Sequence, residues 1–141
     1  MYKFSTRGQY ALLIMEDLAQ AKEGEFVPLR LISHRRNLSA KYLEQILSKL
    51  VASGLVEGSR GTNGGYRLKK ESGSYTAGEI LRAMEGDLSP KTDNEGAAIE
   101  SEGSRFFWNG FEKSVNDFVD SVTLETLVQK NKEYVGFEYC I

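Results

Sequence analysis

One cysteine, one histidine and two prolines in 141 residues remove several kinds of chemistry at the outset. A single cysteine, Cys140, excludes an internal disulfide framework and fits a reducing compartment. The only histidine, His34, stands far from it in sequence, and neither belongs to a nucleophile motif, so no enzyme is expected. No apolar run approaches the roughly 20 residues that span a bilayer, and the first residues lack a signal-peptide core. A cytoplasmic protein is expected. There the acceptor-like Asn37-Leu38-Ser39 reads as a helix entry rather than a glycosylation site.

What is present is ordinary in bulk and uneven in layout. The chain is 40% hydrophobic and 27% charged, the composition of a globular domain. Its net charge of −2 conceals two unlike halves. Residues 1–70 hold 12 Lys/Arg against 6 Asp/Glu, a net +6, while residues 71–141 hold 6 against 14, a net −8. A basic half joined to an acidic half suggests a polyanion-binding module beside one with another task.

Hydrophobic spacing divides the chain. Ala11, Ile14, Met15 and Leu18 follow the i, i+3, i+4, i+7 rule and predict a first helix from Ser5 to about Lys22. Pro28 suits the first turn of a short second helix ending near Arg36, with Leu29 and Ile32 on its apolar face. Asn37-Leu38 makes a turn, and Ser39 is a good N-cap for a third helix through Ser53. Leu43, Ile46, Leu47 and Leu50 form its buried stripe, with Gly54 as its terminator. Leu55–Glu57 and Tyr66–Leu68 read as short strands around a glycine-rich tip, Arg60 to Gly65. Thr76-Ala77-Gly78-Glu79 is a capping box that opens a helix stopping at Gly86. Residues 87–104, acidic and rich in Gly and Ser, read as a mobile linker. A long helix from about Arg105 to Ser121 follows. Its Trp108, Phe111, Val115, Phe118 and Val122 are spaced 3-4-3-4, the seam of a short coiled coil and a self-complementary dimer surface. Thr123 caps a short helix through Val128, and the alternating Val135, Phe137, Tyr139 and Ile141 predict an extended tail.

The expected fold is therefore mainly α with a small β-wing: a winged helix-turn-helix over residues 1–75, a connecting helix and acidic linker over 76–103, and a dimerisation helix, short helix and tail over 104–141. Each part of a winged helix suits duplex DNA. A helix fits the major groove, where base edges present distinct donors and acceptors. Gln45 can pair with adenine, Glu44 can accept from cytosine, Lys41 can reach guanine or phosphate, and Tyr42 can touch a thymine methyl or phosphate. Glycines let the wing approach a narrow minor groove, where Arg60 supplies the attracted charge. Arg7, Arg35, Arg36 and Arg67 are candidate phosphate contacts. Read singly, these features have plainer meanings: a solvated helix face, a hairpin turn at Gly64-Gly65, surface arginines. A nucleotide cradle is disfavoured because the glycine loop lacks the Walker lysine and a following helix. The ordered combination selects the winged helix.

The same residues resemble the Rrf2 family of bacterial winged-helix regulators. The likeness rests on Ser5-Thr6-Arg7-Gly8-Gln9-Tyr10-Ala11, Tyr42-Leu43-Glu44-Gln45, Gly54-Leu55-Val56, Arg60-Gly61 with Gly64-Gly65-Tyr66, and the Leu81–Gly86 segment, close over residues 1–90 and looser beyond. It implies a homodimeric transcription regulator, a repressor by expectation, on a roughly palindromic operator. Its DNA contacts would fall on Arg7, Ser39, Lys41, Tyr42, Glu44, Gln45, Arg60, Gly61, Asn63, Gly64, Gly65 and Tyr66. Gln9 stands where the family commonly has a basic residue and Val51 where Arg is frequent. Cluster-binding members carry three cysteines between the capping-box helix and the long helix. Residues 87–107 contain none here, so an iron–sulfur cluster is not expected. The likeness points instead to the cluster-free branch concerned with cysteine metabolism, in which a cysteine synthase joins the repressor. On that analogy Tyr139 and Ile141, within the Tyr134–Ile141 tail, would dock in the synthase active site. The plainer alternative is a tail packed on its own dimer. A rival from another class is a non-DNA-binding interaction protein whose tail regulates such an enzyme. Cys140 is a weak redox candidate, since nothing near it in sequence lowers its pKa.

Overall fold

Five of the six α-helices described in this chain start with one device. In the computed structural model, which describes residues 4–89 and 101–139 with side chains through Tyr134, a serine or threonine repeatedly accepts the backbone N–H three residues ahead. Ser5 caps α1 (Thr6–Ala19), Ser39 caps α3 (Ala40–Ala52), Thr76 caps α4 (Ala77–Glu85) and Ser101 caps α5 (Glu102–Ser121). Thr123 does the same for α6 (Leu124–Tyr139), accepting from Thr126 at 3.1 Å. Each such cap satisfies a donor that the first turn would otherwise leave bare. α2 (Leu29–Arg36) has no side-chain cap. Pro28 is its N-cap residue rather than part of the first turn, one position earlier than expected. Asn37 closes α2 in the left-handed region at φ 53°, which asparagine tolerates better than most residues.

After Gly54 ends α3, β1 (Val56–Ser59) and β2 (Gly65–Leu68) pair antiparallel with Val56 opposite Leu68 and Ser59 opposite Gly65. Val27 extends this ribbon. Its N–H donates to the Tyr66 carbonyl at 2.8 Å, and the Tyr66 N–H returns a bond at 2.9 Å. The wing is thereby fastened to the segment that leads into α2. Gly65 makes this possible: at φ 148° a Cβ would sit 2.2 Å from the Val27 carbonyl oxygen. A backbone atom cannot step aside as a side chain can.

One core unites these parts. The predicted stripes of α1 (Ala11, Ile14, Met15, Leu18) and α3 (Leu43, Ile46, Leu47, Leu50) meet Ile32, Val56, Ile80, Met84 and Leu124. Each fully buried aliphatic side chain contributes about 2 kcal/mol. Tyr75 lies at the centre, wholly buried; its hydroxyl donates to the Leu55 carbonyl at 2.7 Å and accepts from the Lys69 and Lys70 N–H groups at 2.9 and 3.0 Å. A single phenol thus joins both ends of the wing to the helical body. Asp17, also buried, receives two hydrogen bonds from Arg36, at 2.6 and 2.8 Å, and locks α1 to α2.

Two sequence expectations change in the C-terminal half. α5 begins at Glu102 rather than Arg105, because Ser101 offers the cap. Residues 90–100 of the expected linker lie outside the described residues. The tail is not extended: α6 continues without a break to Tyr139, well past Val128. Adding one hydrogen bond to an existing helix is easier than nucleating a new element. Gln129, Lys130, Lys132 and Glu133 are good helix formers with a Lys130–Glu133 pair at 3.6 Å, and Asn131 ties α6 to Glu16 of α1 at 2.7 Å. Within α6 the alternation of Val135, Phe137 and Tyr139 is too short a pattern to outweigh that.

Candidate nucleic-acid interface

The outer face of α3 is presented as its spacing requires. Lys41, Glu44, Gln45, Ser48 and Lys49 are exposed, while the leucine stripe is sealed beneath them. Ser39, also exposed, caps the reading helix by accepting from the Tyr42 N–H at 3.2 Å. Tyr42 is half-buried, its ring edge-on to Tyr10 of α1 at 6.0 Å. Arg7, from the first turn of α1, lies 6.0 Å above the Tyr42 ring and donates to the Gln45 carboxamide oxygen at 3.0 Å. Three predicted contacts from two helices, Arg7, Tyr42 and Gln45, therefore form one cluster on the reading face.

A groove of about 920 Å³ separates α3 from the wing. Glu44, Ser48 and Val51 form one wall, Arg60, Gly61, Gly64, Gly65 and Tyr66 the other, and Pro28, Leu29 and Arg30 close its end. Asn63 is exposed in the wing turn, where Gly64 N–H bonds the Gly61 carbonyl at 3.0 Å. Arg30 escaped the sequence reading. It is exposed, lines the same groove as Arg60, and its side chain has no hydrogen bond or ion pair among the described residues. Its one legible signal was position: a basic residue in the first turn of the helix that leads to the reading helix. Ser48 was similarly passed over as a groove residue.

The other arginines named as phosphate candidates have structural partners. Arg36 is held by the buried Asp17, whose hydrogen bond raises the guanidinium pKa further. Arg35 approaches the same carboxylate at 3.6 Å. Arg67 pairs with Glu57 across the wing, donates to the Gly24 carbonyl at 2.9 Å and stacks on Phe26 at 4.2 Å. His34 is exposed on α2.

The expected seam on α5 divides in two. Towards its C-terminal end the helix packs on its own domain through Val119, a residue the 3-4 spacing passed over, against Leu81 and Leu88. Arg82 of α4 fixes this approach with bonds of 2.7 and 3.0 Å to Asp120 and 2.6 Å to Asn116. Asp120 is held below the usual carboxylate range by the Arg82 hydrogen bond. Val115, Phe118 and Val122 border an apolar groove of about 580 Å³ shared with Phe4, Leu12 and Leu81. At the other end Trp108 is 50% exposed, edge-on to Phe107 and Phe111. Phe118 is 68% exposed. Tyr139 is the last residue of α6, and Cys140 and Ile141 lie outside the described residues. Among the described residues no helix is long and apolar enough to cross a membrane.

Comparison with known proteins gives this geometry a context. The profile of the Rrf2 family, described as "Iron-dependent Transcriptional regulator", matches residues 4–130. The HTH-type transcriptional regulator CymR of Bacillus subtilis (strain 168) is 43% identical over 126 residues, 89% of this chain and 88% of that protein. The HTH-type transcriptional regulator IscR of Cereibacter sphaeroides is 35% identical over 135 residues, 90% of this chain and 87% of that protein. Among solved structures, that of CymR, the global cysteine regulator of B. subtilis, superposes with a TM-score of 0.82 at 40% identity, covering 92% of this chain and 98% of that one. T. potens IscR superposes with a TM-score of 0.76 at 35% identity, covering 94% and 90%. These relatives are named as regulators, not enzymes.

The family description mentions iron, and the donor set here does not fit a thiolate-held cluster. The chain has a single cysteine, Cys140, well outside residues 87–107 in the sequence, and one thiolate is too few for the ligand set of such a cluster. Its reading helix, wing and relatives together identify the chain as a DNA-binding, winged-helix member of the Rrf2 family of transcriptional regulators.

Proposed function

We propose that this chain is a cytoplasmic, homodimeric repressor that binds a two-fold symmetric operator and takes part in regulating cysteine metabolism without an iron–sulfur cluster. The observation that carries the DNA reading is the open groove between α3 and the wing, walled by Glu44 and Arg60 and flanked by Arg30. It lies in the basic half of a chain whose remainder is acidic. α3 enters the major groove, the wing reaches the minor groove, and Ser39, Lys41, Tyr42, Glu44, Gln45, Arg60, Gly61 and Asn63 make the contacts. The dimer is supported by the exposed Trp108 and Phe118 on α5, large apolar surface of the kind that marks an interface. Cysteine metabolism is supported by the likeness to CymR, the global cysteine regulator of B. subtilis.

The test is selection of bound sequences from random duplexes, with a salt titration, in the presence and absence of a cysteine synthase. A palindromic site and an affinity that falls steeply with salt are expected. Salt-independent binding, or none, refutes the reading. A cysteine synthase is the co-regulator in this proposal. The helical course of α6 leaves no extended docking segment before Tyr139, so the contact would involve the residues beyond it. Removal of Ile141 should then weaken a complex detected by sedimentation, and an undiminished complex sinks that part alone.

A further inference from the structure

A guanidinium has donors and no acceptor, so only the oxygen of a carboxamide can face it. Arg7 faces Gln45 at 3.0 Å. Chemistry alone therefore orients the Gln45 amide: oxygen towards α1, NH2 away. The familiar reading of adenine by glutamine requires both ends of the amide, the oxygen accepting from N6–H and the NH2 donating to N7. Arg7 occupies one of that oxygen's two lone pairs and turns it towards α1, so the NH2 is the end of Gln45 left to lead towards a base.

We propose that Arg7 is a specificity-determining residue that turns Gln45 from a reader of adenine into a reader of an acceptor edge, guanine O6/N7 or thymine O4. This deepens the DNA-binding reading and rests on it. The clamp is supported from every side. Ser5 caps the turn that carries Arg7, and Glu85 of α4 accepts the Ser5 N–H at 2.7 Å, anchoring the start of α1. Tyr42 lies beneath the guanidinium and Tyr10 braces Tyr42 edge-on, each ring centroid 6.0 Å from its neighbour. A positive charge over an aromatic face is attracted to it, which favours this placement of Arg7 over a free, solvated one. The competing role, a phosphate contact, would position the protein without altering its choice of base.

The two roles separate in one experiment. Random-duplex selection is performed with the full chain as wild type, Arg7→Ala, Gln45→Ala and the double variant, with folding checked by circular dichroism. The wild type should select guanine or thymine at one symmetry-related pair of positions that loses preference in Gln45→Ala. Arg7→Ala should shift that pair alone towards adenine, by about tenfold in relative affinity, the scale of one bidentate base contact. In the Gln45→Ala background Arg7→Ala should change no base preference. Loss of affinity for all sequences alike, with a salt slope reduced by about one, would overturn the proposal in favour of a phosphate contact. So would a wild type that already selects adenine at the Gln45 position. Absence of any selected sequence from the wild type would sink the DNA-binding reading and this inference with it. A normal site with unchanged preference in Arg7→Ala sinks this inference alone.

Discussion

Replacing Tyr75 by phenylalanine removes one oxygen and leaves every carbon in place, so its cost isolates the polar knot beneath the wing. That oxygen makes three hydrogen bonds, to Leu55 at 2.7 Å, Lys69 at 2.9 Å and Lys70 at 3.0 Å, from a wholly buried side chain. The three partners are not equivalent. Lys69 and Lys70 are exposed residues, and their N–H groups can turn to water. Leu55 is only 7% exposed, and its carbonyl is left without a donor. One trapped acceptor costs about 1–3 kcal/mol, and the two hydrated N–H groups add little. A loss of about 2 kcal/mol follows, which at this chain length lowers Tm by about 7 °C. Urea titration with an unchanged m-value would show that stability moved and not the denatured state. Affinity for the operator should fall as well, since the knot sets the wing against the body. A loss below about 0.5 kcal/mol would mean that the Leu55 carbonyl finds another donor, and the description of Tyr75 as the joint would be wrong.

Arg36→Ala strands the Asp17 carboxylate in the core with only Arg35 nearby, and should cost about 3 kcal/mol in thermal or chemical denaturation; a loss comparable to a surface substitution would contradict it. Gly65→Ala sets a methyl against the Val27 carbonyl and breaks the two bonds that fasten the wing, so a loss of about 3 kcal/mol is expected from strain and lost hydrogen bonds together. Full stability and full DNA binding in that variant would show the fastening to be incidental. The Arg82–Asp120 pair has a pH signature: Asp120 is depressed in the folded chain, so its contribution is present above the ordinary aspartate range and fades as pH falls through the folded value. Asp120→Asn should lose that contribution at neutral pH and be less sensitive to acid than the wild type. Because Asp120 is largely exposed, the effect should be small and salt-sensitive. Trp108→Glu together with Phe118→Glu should give a monomer by sedimentation equilibrium; an intact dimer would place the interface elsewhere.

Local rules carried the DNA-binding half a long way. The 3.6-residue stripes of α1 and α3, the Ser39 and Thr76 caps, the Gly54 terminator and the glycine wing are short-range signals, and each emerged where spacing put it. They failed where an element's fate depended on a neighbour. The tail alternates like a strand, yet Asn131 on Glu16 and the helix already running from Leu124 carry it on as α6. The α5 stripe looked like one continuous seam, but Val119 and Asp120 turn part of that helix onto α4 and leave its aromatic end outside. Arginines were the least legible residues. Sequence alone placed Arg7, Arg36 and Arg67 in a single class of basic contacts. Only tertiary structure put a buried carboxylate beside the second, a glutamate and a phenylalanine beside the third, and a glutamine beside the first. Helix and turn preferences act over a few bonds and can be read in order along the chain. The partner of a long charged side chain is chosen in space, among residues tens of positions away, after the core has already closed.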